Sequence, residues 1–123
     1  MRYSNEDEWV RNEGERAVVG ITDYAQQQLG DIVFVELPEV GQALTAGQPF
    51  GVIESVKAVS DLYAPISGTV QAVNDTLVDQ PELVNSGCYR EGWIIAVEGH
   101  DAGAVDALLD ASAYAQHCAS REE

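Results

Sequence analysis

Lysine is almost missing from this 123-residue chain, because five of its six basic residues are arginines and the single lysine is Lys57. Lysine is normally among the commonest residues, so the position of the only one requires an explanation. Basic residues of any kind are few, and 21 acidic residues bring the net charge to −15. Such a charge repels phosphate backbones and anionic lipids. We therefore expect neither nucleic acid nor a membrane as a partner.

Cysteine and long apolar runs are also scarce. Cys88 and Cys118 lie 30 residues apart and form no C-x-x-C motif, which argues against a disulfide framework and a zinc site. The acidic start at 6–8 lacks the apolar core of a targeting signal, and no run approaches a membrane span. We expect a protein of the bacterial cytoplasm, or of the mitochondrial matrix if a leader has been removed.

Metal binding has little support in the sequence. His100 and Asp101 are adjacent, as are His117 and Cys118, but neighbouring residues on a helix point about 100° apart. Two adjacent residues therefore make a poor chelate. We expect no metal site, and no acid–base pair indicates catalysis.

The chain has an ordinary apolar share of 46%, distributed over one expected domain at 1–123. Strands at 8–12 and 16–21 flank a glycine-bearing turn, and Thr22 is placed to cap a helix over 23–29. The following pattern predicts a strand at 32–37 buried on both faces, a hairpin at 50–66 and a strand at 69–73. A loop at 74–91 that holds one helical turn follows, and then a strand at 92–97 and one helix from Asp101 through Ser112. Closely spaced strands with short helices predict a mainly β barrel or sandwich.

The segment 54–61 is nearly palindromic about the Lys57–Ala58 bond. A two-residue turn at that bond would place Glu54 opposite Asp61, and this pairing of like charges would cost about 0.2–1 kcal/mol. Lys-Ala is also an unusual turn sequence, because tight hairpins favour Asn-Gly or Asp-Gly. Local rules that fail together in one place indicate a functional site.

A lone lysine at a hairpin tip has several possible roles. A Schiff-base nucleophile must be neutral, whereas the surrounding carboxylates favour the charged ammonium. An anion clamp would act alone on a strongly acidic surface. Attachment of a prosthetic group fits well, because the tip exposes the amine to a modifying enzyme. The alternative that Lys57 merely keeps the turn soluble stays open at this point.

The sequence ESVKA at 54–58, followed by Ser60 and Asp61, resembles the lipoylation hairpin of the glycine cleavage system H-protein family. Further segments resemble the same family in the same order: VGITDYA at 19–25, LGDIV at 29–33, VELP at 35–38, PISG at 65–68, PELVN at 81–85 and EGW at 91–93. The resemblance therefore covers nearly the whole chain.

This resemblance implies a barrel-sandwich hybrid of the lipoyl/biotinyl type, with short flanking helices and a C-terminal helix. It implies that Lys57 carries lipoic acid as an amide, and that the protein is a non-catalytic, monomeric carrier. The implied partners are the P protein (glycine decarboxylase), the T protein (aminomethyltransferase), the L protein (dihydrolipoamide dehydrogenase) and the lipoate-attaching enzymes. The carrier would shuttle the aminomethyl group of glycine from the P protein to the T protein.

The resemblance also assigns roles to three acids. Glu54 matches a position that lipoate-attaching enzymes recognise, while Asp61 and Glu8 match a cleft in which the loaded arm rests. Two positions depart from the family pattern. Asp7 stands where histidine is usual, and Gly87-Cys88 replaces Asp-Pro or Ser-Pro. These departures leave the implied carrier role intact.

Two other readings stay open. A biotinyl carrier shares the fold but flanks its lysine with methionines, whereas Val56 and Ala58 flank Lys57 and the only methionine is Met1. An H-like relay that passes lipoyl groups to other 2-oxoacid dehydrogenase complexes would use the same lysine, so the sequence cannot separate it from a glycine cleavage carrier.

Overall fold

The computed structural model describes residues 1–121, so positions 122–123 of the predicted domain lie outside the described residues. The strands are β1 (Arg2–Tyr3), β2 (Glu8–Asn12), β3 (Arg16–Ile21), β4 (Ile32–Glu36), β5 (Ala43–Leu44), β6 (Pro49–Ser55), β7 (Val59–Tyr63), β8 (Gly68–Val73) and β9 (Ile95–Glu98). The helices are α1 (Asp23–Leu29), α2 (Thr76–Asp79), α3 (Leu83–Ser86), α4 (Ala102–Asp106) and α5 (Ala111–Arg121). Within this range, no helix is both long enough and apolar enough to span a lipid bilayer.

The strands form two antiparallel sheets. One has six strands in the order β1-β2-β3-β9-β8-β5, and the other has three in the order β4-β6-β7. Both contribute to one apolar core, in which Val10, Val19 and Val97 of the larger sheet belong to the same cluster as Val35 and Ile53 of the smaller one. The predicted mainly β fold with short helices and a C-terminal helix is confirmed.

The first hairpin and α1 follow their local signals. The strands at 8–12 and 16–21 and the helix at 23–29 have the predicted bounds. Thr22 Oγ1 accepts a hydrogen bond from the N–H of Ala25, as an N-cap does. At the other end Gly30 has φ 79° and donates its N–H to the carbonyl of Gln26. These predictions are confirmed.

Strand β4 differs from its prediction. It ends at Glu36, and it is not buried on both faces, because Val33 and Phe34 are each 49% exposed while Ile32 and Val35 are buried. An irregularity in the β4–β6 register between Ile32 and Phe34 leaves two consecutive side chains exposed. As an edge strand of a three-stranded sheet, β4 also lacks the cover that a central strand of a larger sheet has.

The predicted helix from Asp101 to Ser112 is two helices. Asp101 caps α4 by accepting from the N–H of Gly103, as predicted, but α4 ends at Asp106. The backbone of Leu109 instead exchanges hydrogen bonds of 2.8 and 2.9 Å with Tyr3, which interrupts the helix. The segment 74–91, predicted as a loop with one helical turn, contains two short helices, α2 and α3.

Candidate functional site

The hairpin that carries Lys57 has its turn one residue earlier than predicted. In the β6–β7 register Glu54 lies opposite Val59 and Val52 lies opposite Asp61. The two central turn residues are therefore Val56 and Lys57, and the predicted pairing of Glu54 with Asp61 is wrong. These two acids are diagonal neighbours on the outer face of the sheet, where their repulsion is weaker than in a direct pair.

Ser55 explains how this turn forms without glycine. Its hydroxyl accepts hydrogen bonds from the N–H groups of Lys57 (3.3 Å) and Ala58 (3.1 Å). Its own N–H donates to the carbonyl of Ala58 at 2.8 Å. A serine side chain that satisfies the backbone in this way is a recognised turn former. Ser55 is therefore the sequence signal for the position of the turn, and the near-palindrome at 54–61 hides it.

The tip is also fixed from the side. The N–H of Val56 donates to the carbonyl of Asp31 at 3.1 Å, and the stem of Lys57 passes over Gly30. A Cβ added to Gly30 would lie 3.1 Å from Cε of Lys57. Lys57 is nevertheless exposed. The backbone of the tip is thus held in place while the amine stays accessible.

Glu8 and Asp61 line one cavity of about 170 Å³, together with Glu6, Asp7 and Ser60 among others. Glu54 does not line it and lies exposed on the outer face of the three-stranded sheet. The structure therefore places two of the three predicted acids in the lining of one cavity and leaves the third outside that lining. Lys57 lies at the end of the hairpin whose strand β7 forms one wall of the cavity.

The carboxyl group of Glu8 is almost completely buried, with 2% of the residue exposed. The hydroxyl of Ser4 donates to Oε1 at 2.7 Å, and the N–H of Tyr63 lies 3.4 Å from Oε2. Burial raises the pKa of Glu8 to about 8, against the smaller opposing effect of these hydrogen bonds. The group is therefore mostly neutral at pH 7.

The carboxylate of Asp7 accepts hydrogen bonds from two other side chains. Its two carboxylate oxygens accept hydrogen bonds of 2.6 and 2.9 Å from the guanidinium of Arg121, and Oδ1 also accepts from the hydroxyl of Tyr114 at 2.8 Å. The Arg121 guanidinium lies 4.3 Å from the ring centroid of Tyr24, and its pKa is raised by the contact with Asp7. Asp7 itself has φ 72°, a region that non-glycine residues seldom adopt. We call this ion pair the Asp7–Arg121 clamp.

Sequence reasoning missed the clamp because its two residues are 114 positions apart. The available signal was the departure from the family pattern at Asp7. The second departure from the family pattern, Gly87-Cys88, also has a structural role. The carbonyl of Cys88 accepts a hydrogen bond of 2.9 Å from the indole N–H of Trp9. Burial raises the pKa of the Cys88 thiol to about 11, which keeps it protonated.

Metal-ligating side chains do not converge in the part of the chain that the structure describes. Across residues 1–121, no group of three or more histidine, cysteine, aspartate or glutamate side chains is placed to hold an ion. His100 instead has Nε2 3.2 Å from Oδ1 of Asn12, and His117 has Nε2 3.2 Å from the carbonyl of Asn5.

Comparisons with known proteins show the family to which the chain belongs. The family model described as "Glycine cleavage H-protein" matches residues 1–121. The glycine cleavage system H proteins of Geobacillus thermodenitrificans and Bacillus cytotoxicus are 59% and 60% identical over 94% of this chain and 91% of their own length. A crystal structure of the glycine cleavage system H protein from Mycobacterium marinum superposes with a TM-score of 0.82 at 37% identity, covering 98% of this chain and 95% of that one. The chain belongs to the glycine cleavage H-protein family.

Proposed function

We propose that this protein is the lipoyl carrier of a glycine cleavage system, with lipoic acid attached as an amide to Nζ of Lys57. The observation that carries the proposal is the setting of the only lysine: an exposed side chain on a tip that Ser55 and Asp31 hold in place. A covalent carrier needs an accessible amine on a defined support, and this hairpin supplies both. When bound, the lipoyl group supplies a dithiolane that takes up the aminomethyl group of glycine.

Intact mass spectrometry after incubation with a lipoate ligase, lipoic acid and ATP tests the attachment. We expect one lipoyl-sized addition to the wild-type chain and none to Lys57→Arg. Because Lys57 is the only lysine, the N-terminal amine is the one other amine that could react. An addition that persists in Lys57→Arg, or no addition to the wild type, would refute the attachment.

The cavity beside the hairpin supports a second part of the proposal. An aminomethyl group carries a cationic amine, and both Glu8 and Asp61 line the 170 Å³ cavity. The buried carboxyl of Glu8 would ionise against the ammonium, while Asp61 would attract it from the rim. These residues would thus hold the loaded arm and exclude water from it.

Hydrolysis of the loaded arm measures this protection. We expect Asp61→Asn to hydrolyse several-fold faster than the wild type, with Glu82→Gln as a control, since Glu82 is an exposed acid outside the cavity lining. If Asp61→Asn and the wild type lose the group at the same rate, Asp61 has no part in holding the arm.

The proposed carrier is itself non-catalytic and acts with the P, T and L proteins of the system. Its net charge of −15 favours partners with basic docking surfaces, and its free cysteines support a reducing compartment such as the cytoplasm. Glycine–bicarbonate exchange with added P protein tests the glycine role. Lipoylated protein that fails to support exchange would instead fit a lipoyl relay.

A further inference from the structure

The loop that joins β1 to β2 forms part of the wall of the 170 Å³ cavity. Glu6 and Asp7 belong to this loop and Glu8 follows it directly, and all three residues line the cavity. The carbonyl of Asp7 accepts from the N–H of Thr22 at 2.9 Å, which ties the loop to the N-cap of α1. We call residues 4–7 the cavity loop. Its position sets where three carboxyl groups lie in the lining.

Helix α5 reaches the cavity loop with one of its faces. Tyr114, His117 and Arg121 follow one another at spacings of three and four residues, so their side chains share a face of the helix. Arg121 makes the two hydrogen bonds of the Asp7–Arg121 clamp, and the hydroxyl of Tyr114 donates to the same carboxylate. Nε2 of His117 lies 3.2 Å from the carbonyl of Asn5. All three side chains therefore contact the cavity loop.

Tyr114 also connects the cavity loop to a second wall of the cavity. Its O–H donates to Asp7, so its oxygen accepts the hydrogen bond of 2.6 Å from the hydroxyl of Thr22. Thr22 caps α1, and this helix lines the cavity with Ala25 and Leu29 among others. Helix α5 contributes none of the described residues in the lining. Its influence on the cavity therefore passes through the cavity loop and α1.

We propose that Arg121 and Tyr114 are positioning residues for the loaded lipoyl arm. This inference rests on the proposed function, in which the arm enters the cavity. Through Asp7 the two side chains hold the cavity loop against the rest of the lining, so that little water reaches the aminomethyl group. Asp7 has φ 72°, a conformation that non-glycine residues seldom keep unless their surroundings fix it. The hydrogen bonds from Arg121 and Tyr114 provide that constraint.

Removal of Arg121 would change the charge of the lining as well as the position of the loop. The guanidinium neutralises Asp7, whereas Asp61 has no basic side chain within 4.0 Å in residues 1–121, where the ion pairs involve Glu13 and Asp7. A freed Asp7 carboxylate would join Asp61 in attracting the cationic amine and would slow loss of the group. A displaced loop would admit water and speed that loss. The two effects have opposite signs, and the proposal requires the second.

Hydrogen exchange in the unmodified protein tests the position of the loop without any arm. The N–H groups of Asp7 and Glu8 both bond to Ser4. We expect Arg121→Gln to raise their exchange rates about fivefold, because a local contact is lost. Amides of β3 and β9, at the centre of the larger sheet, should keep their rates. If all of these rates rise by the same factor, α5 stabilises the fold as a whole and does not position the loop.

Loss of the aminomethyl group from the lipoylated protein measures the consequence. Each hydrolysis consumes one water, breaks the C–S and C–N bonds of the aminomethyl carbon, and yields formaldehyde, ammonia and the free thiol. We expect Arg121→Gln, Tyr114→Phe and Asp7→Asn each to release ammonia about fivefold faster than the wild type. The double variant of Asp7→Asn and Arg121→Gln should be no faster than Arg121→Gln alone, because both changes remove the same contact. Arg121→Lys should recover part of the protection.

Arg16→Gln is the matched control for Arg121→Gln. It breaks an ion pair of 3.1 Å with Glu13, and neither residue lines the cavity. We expect this variant to release ammonia within about twofold of the wild-type rate, because an exposed ion pair elsewhere contributes little. Circular dichroism of each variant shows that it is folded.

The outcomes separate this inference from the proposed function. If the wild type loses the group as fast as aminomethylated dihydrolipoamide free in solution, the arm is not held in the cavity, and that part of the proposed function fails together with this inference. If the wild type is protected and Arg121→Gln is equally protected, only this inference fails. Slower loss from Arg121→Gln also overturns it, because the freed carboxylate of Asp7 would then hold the cation.

Discussion

The turn around Lys57 and the carboxyl of Glu8 differ in where their support comes from in the chain. Ser55, two residues from Lys57, supplies most of the hydrogen bonds of the turn. Glu8 also bonds to a near neighbour, Ser4, but it is buried by residues as distant as Tyr63, 55 positions away. The exposed tip is a local structure that sequence patterns describe well, whereas the buried acid is a product of the whole fold. The two regions should therefore respond differently to substitution.

The largest expected effect is at Glu8. Its pKa is about 8 in the folded protein against an ordinary value of 4.5, so folding binds a proton between these pH values and the free energy of unfolding falls as pH rises through them. Glu8→Gln has no such group to ionise. We expect it to be close to the wild type at pH 5 and about 2–4 kcal/mol more stable at pH 9. Urea unfolding at both pH values measures the difference.

Glu6→Gln is the control for this prediction, because Glu6 lines the same cavity but is exposed. We expect its unfolding free energy to follow the wild type at both pH values. If the unfolding free energies of Glu8→Gln and the wild type change in parallel with pH, Glu8 is ionised in the folded protein. The two regions would then not differ in the way proposed here.

Ser55→Ala is expected to have the next largest effect. The substitution removes the hydroxyl that accepts from two turn N–H groups, which should cost about 1–2 kcal/mol of unfolding free energy. It should also slow lipoylation, since the tip loses its support. Thermal unfolding and the ligase assay measure both effects. Ser60→Ala, which loses only a 3.3 Å contact with the carbonyl of Asp61, should change stability by less than about 0.5 kcal/mol. Equal effects of the two variants would contradict the role of Ser55.

A smaller effect is expected at the Asp7–Arg121 clamp. A double-mutant cycle with Asp7→Asn and Arg121→Gln should give a coupling energy of about 1 kcal/mol, because the pair is bidentate but partly exposed. Urea unfolding in low and high salt measures it, and the coupling should weaken in high salt. If the effects of the two single substitutions on the unfolding free energy are additive, the Asp7–Arg121 clamp does not hold α5 in place.

The smallest expected effect on stability is at Lys57 itself. Lys57→Arg should abolish lipoylation and leave the unfolding free energy within about 0.5 kcal/mol of the wild type. The Lys57 side chain is exposed, and Lys57 contributes to the hydrogen bonds of the turn through its backbone N–H. Thermal unfolding of both proteins tests this independence. A large loss of stability would mean that the lysine also has a structural role, and the distinction between the two regions would fail.

Local signals predicted local structure well. The cap at Thr22, the stop at Gly30 and the hairpin at 8–21 depend on contacts between near neighbours, and all were predictable. The near-palindrome predicts the tip one residue too late in the chain, because the symmetry of residue types does not show the hydrogen bonds of Ser55. The two-face burial of β4 was wrong because a register irregularity cannot be read from an apolar run.

Long-range contacts account for the remaining misses. The break between α4 and α5 results from pairing of Leu109 with Tyr3, at the opposite end of the chain. The clamp between Asp7 and Arg121 spans a similar separation. The family resemblance predicts a cleft that Glu8 and Asp61 share, and both residues line one cavity of the structure. The burial that raises the pKa of Glu8 depends on both sheets being assembled.

The hydrogen bond from the N–H of Val56 to the carbonyl of Asp31 affects any group that is attached at the tip. It ties the turn to the start of β4, so an arm on Lys57 would move about a nearly stationary pivot. Entry of its far end into the neighbouring cavity would then be an intramolecular equilibrium with a high effective concentration. Dilution would leave that equilibrium unchanged, so the sheltered fraction would be the same at nanomolar and millimolar protein, and only a competing partner enzyme would draw the arm out.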